Sequence, residues 1–206
     1  MSNKEGEKDR LKADEDNERV SLCQKGDVDA FGALVEKYQK KVLNIAYRMI
    51  GNYDEACEVA QEAFLSAYKG IRKFRGESRF STWLYSIAIN HAKNHMRQIA
   101  TRHYREGLPI DDPVEMGDGQ LGGRVPAHES SVVEELEKRE VQAKVQECIN
   151  LLDAEYREVL VLRDIQGFSY EEIGDILKVP GGTVKSRLFR ARDALKDRLK
   201  KVLGDL

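Results

Sequence analysis

The strongest chemical signal in the sequence is a run of cations near its end. Between Thr183 and Lys201 stand Lys185, Arg187, Arg190, Arg192, Lys196, Arg198, Lys200 and Lys201 against only Asp193 and Asp197, a local charge of +6. At about 100° per residue, Val184, Leu188, Ala191, Leu195, Leu199 and Val202 share one narrow helical face. Thr183, Lys185, Ser186, Arg187 and Arg190 fall outside that face, in the N-terminal half of the helix. Cations and hydroxyls so displayed suit hydrogen bonds to base edges and ion pairs with phosphates in a DNA major groove. A merely solvated face would interleave acids with these cations, and residues 183–192 contain none.

The other candidate chemistry is weaker. His91 and His95 are spaced i, i+4 and could share a metal, but Ala92, Lys93 and Asn94 between them include no acid. The H-E-x-x-H form of a zinc protease is therefore missing. Without a Gly-rich phosphate loop or a nucleophile elbow either, no catalytic site, cofactor or metal is expected. Cys23, Cys57 and Cys148 are odd in number and widely spaced, which fits a reducing cytoplasm and excludes a disulfide framework. No apolar run approaches the ~20 residues of a membrane span, so no membrane insertion is expected. The start MSNKEGEKDR has no hydrophobic signal core.

The elements that must carry the basic helix are punctuated sharply. Gly167 ends one helix, and Ser169-Tyr170-Glu171-Glu172 has the S-x-x-E form of a capping box. Phe168 and Ile173 stand at the N′ and N4 positions, as a hydrophobic staple requires. The short helix stops at Val179-Pro180-Gly181-Gly182, and the next is expected from Thr183. A short helix, a tight turn and a basic amphipathic helix make a helix-turn-helix pattern. Upstream, Phe31, Leu34, Val35, Tyr38, Val42, Ile45, Ala46 and Met49 recur at three- and four-residue steps up to Gly51. Ala56, Ala60, Phe64, Ala67 and Ile71 form a second such stripe, with Glu55, Glu58, Gln61 and Glu62 on the outer face. A third helix from about Arg79 to Arg102 places Phe80, Trp83, Leu84, Ile87 and Ala88 at helical spacing.

Between these halves, residues 107–130 carry three of the four prolines and five of the 16 glycines. That stretch has almost nothing to bury and reads as a mobile acidic linker. The expected fold is all-α: a charged, disordered N-terminus at 1–15, a helical domain at 16–106, the linker at 107–130, and a helix-turn-helix domain at 131–206. Aromatic residues total only 7%, which is poor in strand formers. The formal net charge of −2 is an average over strongly segregated segments, since residues 107–135 alone carry −6.

The segment GFSYEEIGDILKVPGGTVKSRLFRARDALK (167–196) resembles region 4 of the sigma-70 family, and EVAQEAFLSAYKGIRKFRGESRFSTWLYSIAINHAKN (58–94) resembles region 2. Two small helical domains with no further regions resemble the extracytoplasmic-function (ECF, group 4) sigma factors, of the sigma-E type. The resemblance spans roughly residues 17–104 and 131–203. It implies docking on the clamp helices of core RNA polymerase through Glu58, Gln61 and Glu62, with region 4 near the polymerase flap. It implies capture of a flipped base of the promoter −10 element in a pocket lined by Phe74, Arg75, Ser78 and Phe80. Asn90 would face that base, and Lys93, Asn94 and Arg97 would lie near phosphates. For the −35 element it implies contacts from Lys185, Ser186, Arg187 and Arg190, with Thr183 near a phosphate.

An anti-sigma partner wedged between the domains is also implied. Three departures from the family pattern stand out: Glu58 replaces the usual Asp, Cys57 takes a position where an acid is common, and Gly181-Gly182 is tandem, which is expected to loosen the turn. Opening ten base-pair steps costs on the order of 14 kcal/mol. A captured base returns about 1–3 kcal/mol. A chain of this kind is therefore a specificity subunit, with polymerase holding the rest of the bubble. The alternative is a stand-alone helix-turn-helix regulator, either a dimeric repressor binding DNA unaided or a response regulator. The latter needs an alternating β/α receiver upstream, where this chain reads as helix.

Overall fold

The computed structural model describes residues 15–106 and 132–204, and every regular element among them is helical. The expected linker at 107–130 and residues 1–14 lie outside the described residues. A first helix, α1 (15–24), leads into α2 (Val28–Ile50), α3 (Tyr53–Gly70), a 3₁₀ turn (Ile71–Lys73) and α4 (Phe80–Glu106). The second half runs α5 (Val132–Asn150), α6 (Ala154–Leu160), a π-helical turn (Val161–Ile165), α7 (Tyr170–Leu177) and α8 (Gly181–Leu203).

Local chemistry sets the boundaries. Asp27 caps α2 by accepting from the Ala30 amide at 3.0 Å, and Asn52 caps α3 by accepting from Glu55 at 3.1 Å. Gly51 ends α2 in the left-handed region at φ 89°, its amide donating to the Tyr47 carbonyl. The capping box of α7 is complete, with the Glu172 amide donating to Ser169 Oγ and Glu172 Oε2 accepting from the Ser169 amide. α8 begins two residues earlier than expected, because Gly181 and Gly182 form its first turn. First-turn amides need no helical partner, so glycine costs little there. The turn is not loosened: Thr183 and Val184 both donate to the Pro180 carbonyl, at 2.8 and 3.1 Å, and Lys178 closes α7 in the left-handed region at φ 55°.

Leu34, Val42, Ile45, Ala56, Ala63, Ala67, Leu84 and Ala88 fill the space between α2, α3 and α4. Val159, Leu162, Ile173, Val184, Leu188 and Ala191 fill that between α6, α7 and α8. The predicted apolar faces hold in α2 and in the first half of α8, whereas Val202 at the end of α8 is exposed. The two halves also pack on each other. Phe168 sits 5.3 Å from the Tyr85 ring, with Lys41 Nζ 4.0 Å above its face. Arg48 donates to Gln146 at 2.9 Å, and Gln166 donates to Asn44 at 2.6 Å. A Cβ at Gly51 would collide with the Asn150 side chain, so α2 and α5 meet where only glycine fits.

Candidate nucleic-acid and polymerase interfaces

α8 presents its cations as a displayed face. Lys185, Ser186 and Arg190 are exposed, Thr183 is half-buried, and Val184, Leu188 and Ala191 anchor the opposite side. Ser186 Oγ donates to the Thr183 carbonyl at 3.1 Å. Arg192, part of the cationic run, forks onto Asp164 of the π turn with Nε at 2.9 Å, a structural tie. Arg187 stands apart from the other predicted contacts. Its guanidinium lies 2.8 Å from Glu155 and 3.3 Å from Glu158 on α6, leaving the side chain 22% exposed.

Phe189, which the helical period sets off the apolar face with the polymerase flap, an inhibitor or an extra core element as its candidate contacts, is 74% exposed amid Lys185, Ser186 and Arg190. An apolar side chain on such a face suits the methyl group that thymine shows in the major groove. The signal was present as an aromatic residue off the apolar stripe.

The residues expected to line a single-strand site gather where the 3₁₀ turn runs into α4. A cleft of about 920 Å³ is lined on one wall by Phe74, Arg75, Ser78, Arg79 and Trp83. Gln24 of α1 fixes the approach to this loop, donating to the Ile71 carbonyl at 3.1 Å and the Phe74 carbonyl at 2.8 Å. Phe80 is a correction: at 1% exposure it is core, packed on Tyr38 and beneath Phe74 and Trp83, and has no face to offer a base. Phe74 and the half-buried Trp83 are the aromatic planes at the cleft, with ring centroids 4.9 Å apart. Trp83, three positions beyond Phe80 on the same face, packs against the core as expected and still shows part of its ring to the cleft. Farther along α4, Asn90, Asn94 and Arg97 are exposed, and Arg97 donates to Asn94 at 3.1 Å. Lys93 is half-buried, its ammonium 2.8 Å from the buried Glu158 of α6.

On α3, Glu58, Gln61 and Glu62 form an exposed strip continued by Leu65 and Tyr68. His91 of α4 contacts Glu62 at 3.3 Å and Ser66 at 2.9 Å, while His95 contacts Glu55 at 3.1 Å. The two histidines therefore bridge α4 to α3 rather than converge on a common point. Beside the strip runs an apolar groove between α2 and α3, lined by Phe31, Val35, Leu43, Phe64 and Tyr68.

A helix-turn-helix with a cationic outer face, joined to a bundle bearing an aromatic cleft and an acidic strip, defines an all-helical transcription factor. Residues 34–112 match the family of Sigma-70 region 2, and residues 142–195 match that of Sigma-70 region 4. The RNA polymerase sigma-H factor of Pseudomonas aeruginosa is 40% identical over 197 residues, 95% of this chain and 99% of that protein. The ECF RNA polymerase sigma factor SigW of Bacillus subtilis is 39% identical, across 88% of this chain and 95% of its own. The ECF RNA polymerase sigma-E factor of Escherichia coli is 38% identical, across 89% and 94%. Among solved structures, the sigma factor RpoE of Bartonella quintana in complex with the anti-sigma factor NepR matches with a TM-score of 0.63 at 25% identity, covering 84% of this chain and 98% of that one. The chain belongs to the extracytoplasmic-function RNA polymerase sigma factors of the sigma-70 family.

Proposed function

We propose that this sigma factor docks on core RNA polymerase through Glu58, Gln61 and Glu62, reads the −35 element with α8, and captures the melted −10 strand beside α4. The observation that carries the reading is the exposed group Lys185, Ser186 and Arg190 on a helix whose opposite side is anchored by Val184, Leu188 and Ala191. Thr183, at the start of that helix, lies where a phosphate contact is expected. Phe74 and Trp83 supply stacking planes in the −10 cleft, Arg75 and Ser78 its polar rim, and Asn90, Asn94 and Arg97 an amide and a cation along the strand. Lys93 and Arg187 join these surfaces once released from Glu158. Residues 107–130 join a region 2 domain at 16–106 to a region 4 domain at 131–206.

The chain has no catalysis of its own in this reading and works in the cytoplasm beside the chromosome. Among the described residues no helix is long and apolar enough to cross a membrane. The apolar groove between α2 and α3, next to the acidic strip, suits a protein partner, and an anti-sigma factor is the partner proposed.

The test is run-off transcription with core polymerase. Asn90→Ala is expected to leave closed-complex binding unchanged while weakening strand capture by about 1–3 kcal/mol, seen as reduced permanganate reactivity at the −10 element. Equal losses in closed and open complexes would remove Asn90 from that role. Phe189→Ala is expected to cost about 1 kcal/mol on −35 elements with a thymine at one position and little on the matching substituted element. A panel of −35 variants scored by transcription checks that difference, and a uniform loss would place Phe189 outside base reading.

A further inference from the structure

The inner face of α1 holds a charge where its pattern calls for an apolar residue. Asp16, Val20 and Cys23 recur at i, i+4 and i+7, and all three are buried. Asp16 is 6% exposed. Its Oδ1 lies 2.6 Å from Lys37 Nζ, and its Oδ2 accepts from the Tyr38 hydroxyl. Ser81, at the start of α4, meets that hydroxyl too. Burial first, and then the bond to Asp16, push the Tyr38 phenol above its ordinary range, so it remains a protonated donor.

A buried ion pair is an expensive means of holding a helix in place. Apolar residues of similar volume often pack as well or better, which leaves the geometry it imposes as the reason to keep one. Here that geometry reaches the cleft. The Tyr38 ring packs 5.8 Å from Phe80, and Phe80 lies 6.2 Å from Phe74 and 5.9 Å from Trp83. Close-packed rings pass on a displacement, because no void is present to absorb it. About 12 Å farther along α1, at 1.5 Å per residue, Gln24 holds the loop carbonyls of Ile71 and Phe74. Asp16 stands at the foot of a column whose top is the pair of planes in the cleft.

We propose that Asp16 is a positioning residue for −10 recognition: by fixing the Tyr38 hydroxyl it sets Phe80, and through Phe80 the angle and spacing of Phe74 and Trp83. This rests on the assignment of the cleft to the −10 strand in the previous subsection. Asp16 touches no DNA in this account. Its influence on promoter opening passes through the rings.

Two readouts test the column. Trp83 is the chain's single tryptophan, so the emission of the free chain reads one of the two planes directly. Open-complex formation is followed by permanganate reactivity, with core polymerase, on a promoter that the wild-type holoenzyme opens. Tyr38→Phe removes only the hydroxyl and keeps the ring. It is expected to shift the Trp83 emission and to lower open-complex formation about fivefold, the lower end of what one stacked base contributes. Closed-complex binding is expected to stay the same. Asp16→Leu fills similar space without charge, Lys37 keeping its access to water at the rim, and is expected to act alike. The double variant is expected to lose no more than either single one, as members of one network do.

Wild-type emission and wild-type opening in both single variants overturn the proposal, even with a lowered thermal midpoint, because α1 then contributes stability alone. Additive losses in the double variant also overturn it, since Asp16 would not be acting through Tyr38. Phe74→Ala separates this proposal from the reading beneath it. If that direct truncation leaves opening unchanged, the cleft does not take the −10 strand and both fall. If it weakens opening while Tyr38→Phe and Asp16→Leu do not, the cleft stands and only the positioning role of Asp16 fails.

Discussion

Reversing two charges on α3, Glu58→Lys with Glu62→Lys, is expected to abolish holoenzyme assembly while leaving the helix intact. Both side chains are exposed, and glutamate and lysine have nearly equal helix propensity, so circular dichroism is expected to be unchanged. In the proposed docking the strip presents anions to a cationic partner surface, and opposed like charges at such a contact cost several kcal/mol. Two reversals therefore weaken assembly at least a hundredfold, which co-elution with core polymerase reads directly. Loss of the His91 contact to Glu62 contributes little, because that carboxylate is mostly solvated. Normal assembly by the double variant would remove the strip from docking, and the apolar groove beside it would then be the surface to vary.

Leu188→Ala is expected to destabilise the helix-turn-helix half by about 2–5 kcal/mol. Leu188 is buried on the inner face of α8, flanked along the helix by Val184 and Ala191, and its removal leaves a cavity that neighbouring helices fill only in part. The functional consequence separates the two halves. Dependence on the −35 sequence is expected to collapse, while docking through α3 and strand capture beside α4 persist on templates that are already melted. Thermal denaturation followed by circular dichroism measures the first effect, and transcription from a pre-opened bubble measures the second. A variant with native thermal stability would show that α8 is not anchored through this residue.

How far the sequence disclosed these surfaces depends on the range of the interactions involved. The inward faces of α2 and α8 were legible because each rests on a period of 3.6 residues maintained over many turns. The start of α7 was legible because a capping box is complete within four residues. Depth was not legible. Phe80 and Trp83 lie on one helical face, and which of them sinks depends on Tyr38, far away in the chain, and on Phe74, in the loop before the helix. Arg187 was predicted to be displayed because its helix is basic, yet Glu155 and Glu158, about thirty residues earlier, hold it on the flank. Nothing in the sequence around Arg157 and Glu158 marks them for burial. Their burial depends on the Met49 carbonyl and on Lys93, both in the other half of the chain.

If the cleft takes the −10 strand as proposed, Gln24 has a consequence for the thermodynamics of promoter opening. With one amide group it fastens the Ile71 and Phe74 carbonyls, the two ends of the turn that feeds the −10 cleft. A loop free to wander would have to be immobilised each time a strand entered, at about 1–2 kcal/mol for every residue ordered. Here α1 acts as a splint, and the entry to the loop is immobilised once, when the chain folds. More of the stacking energy on Phe74 and Trp83 is thereby left to hold the base out of the duplex.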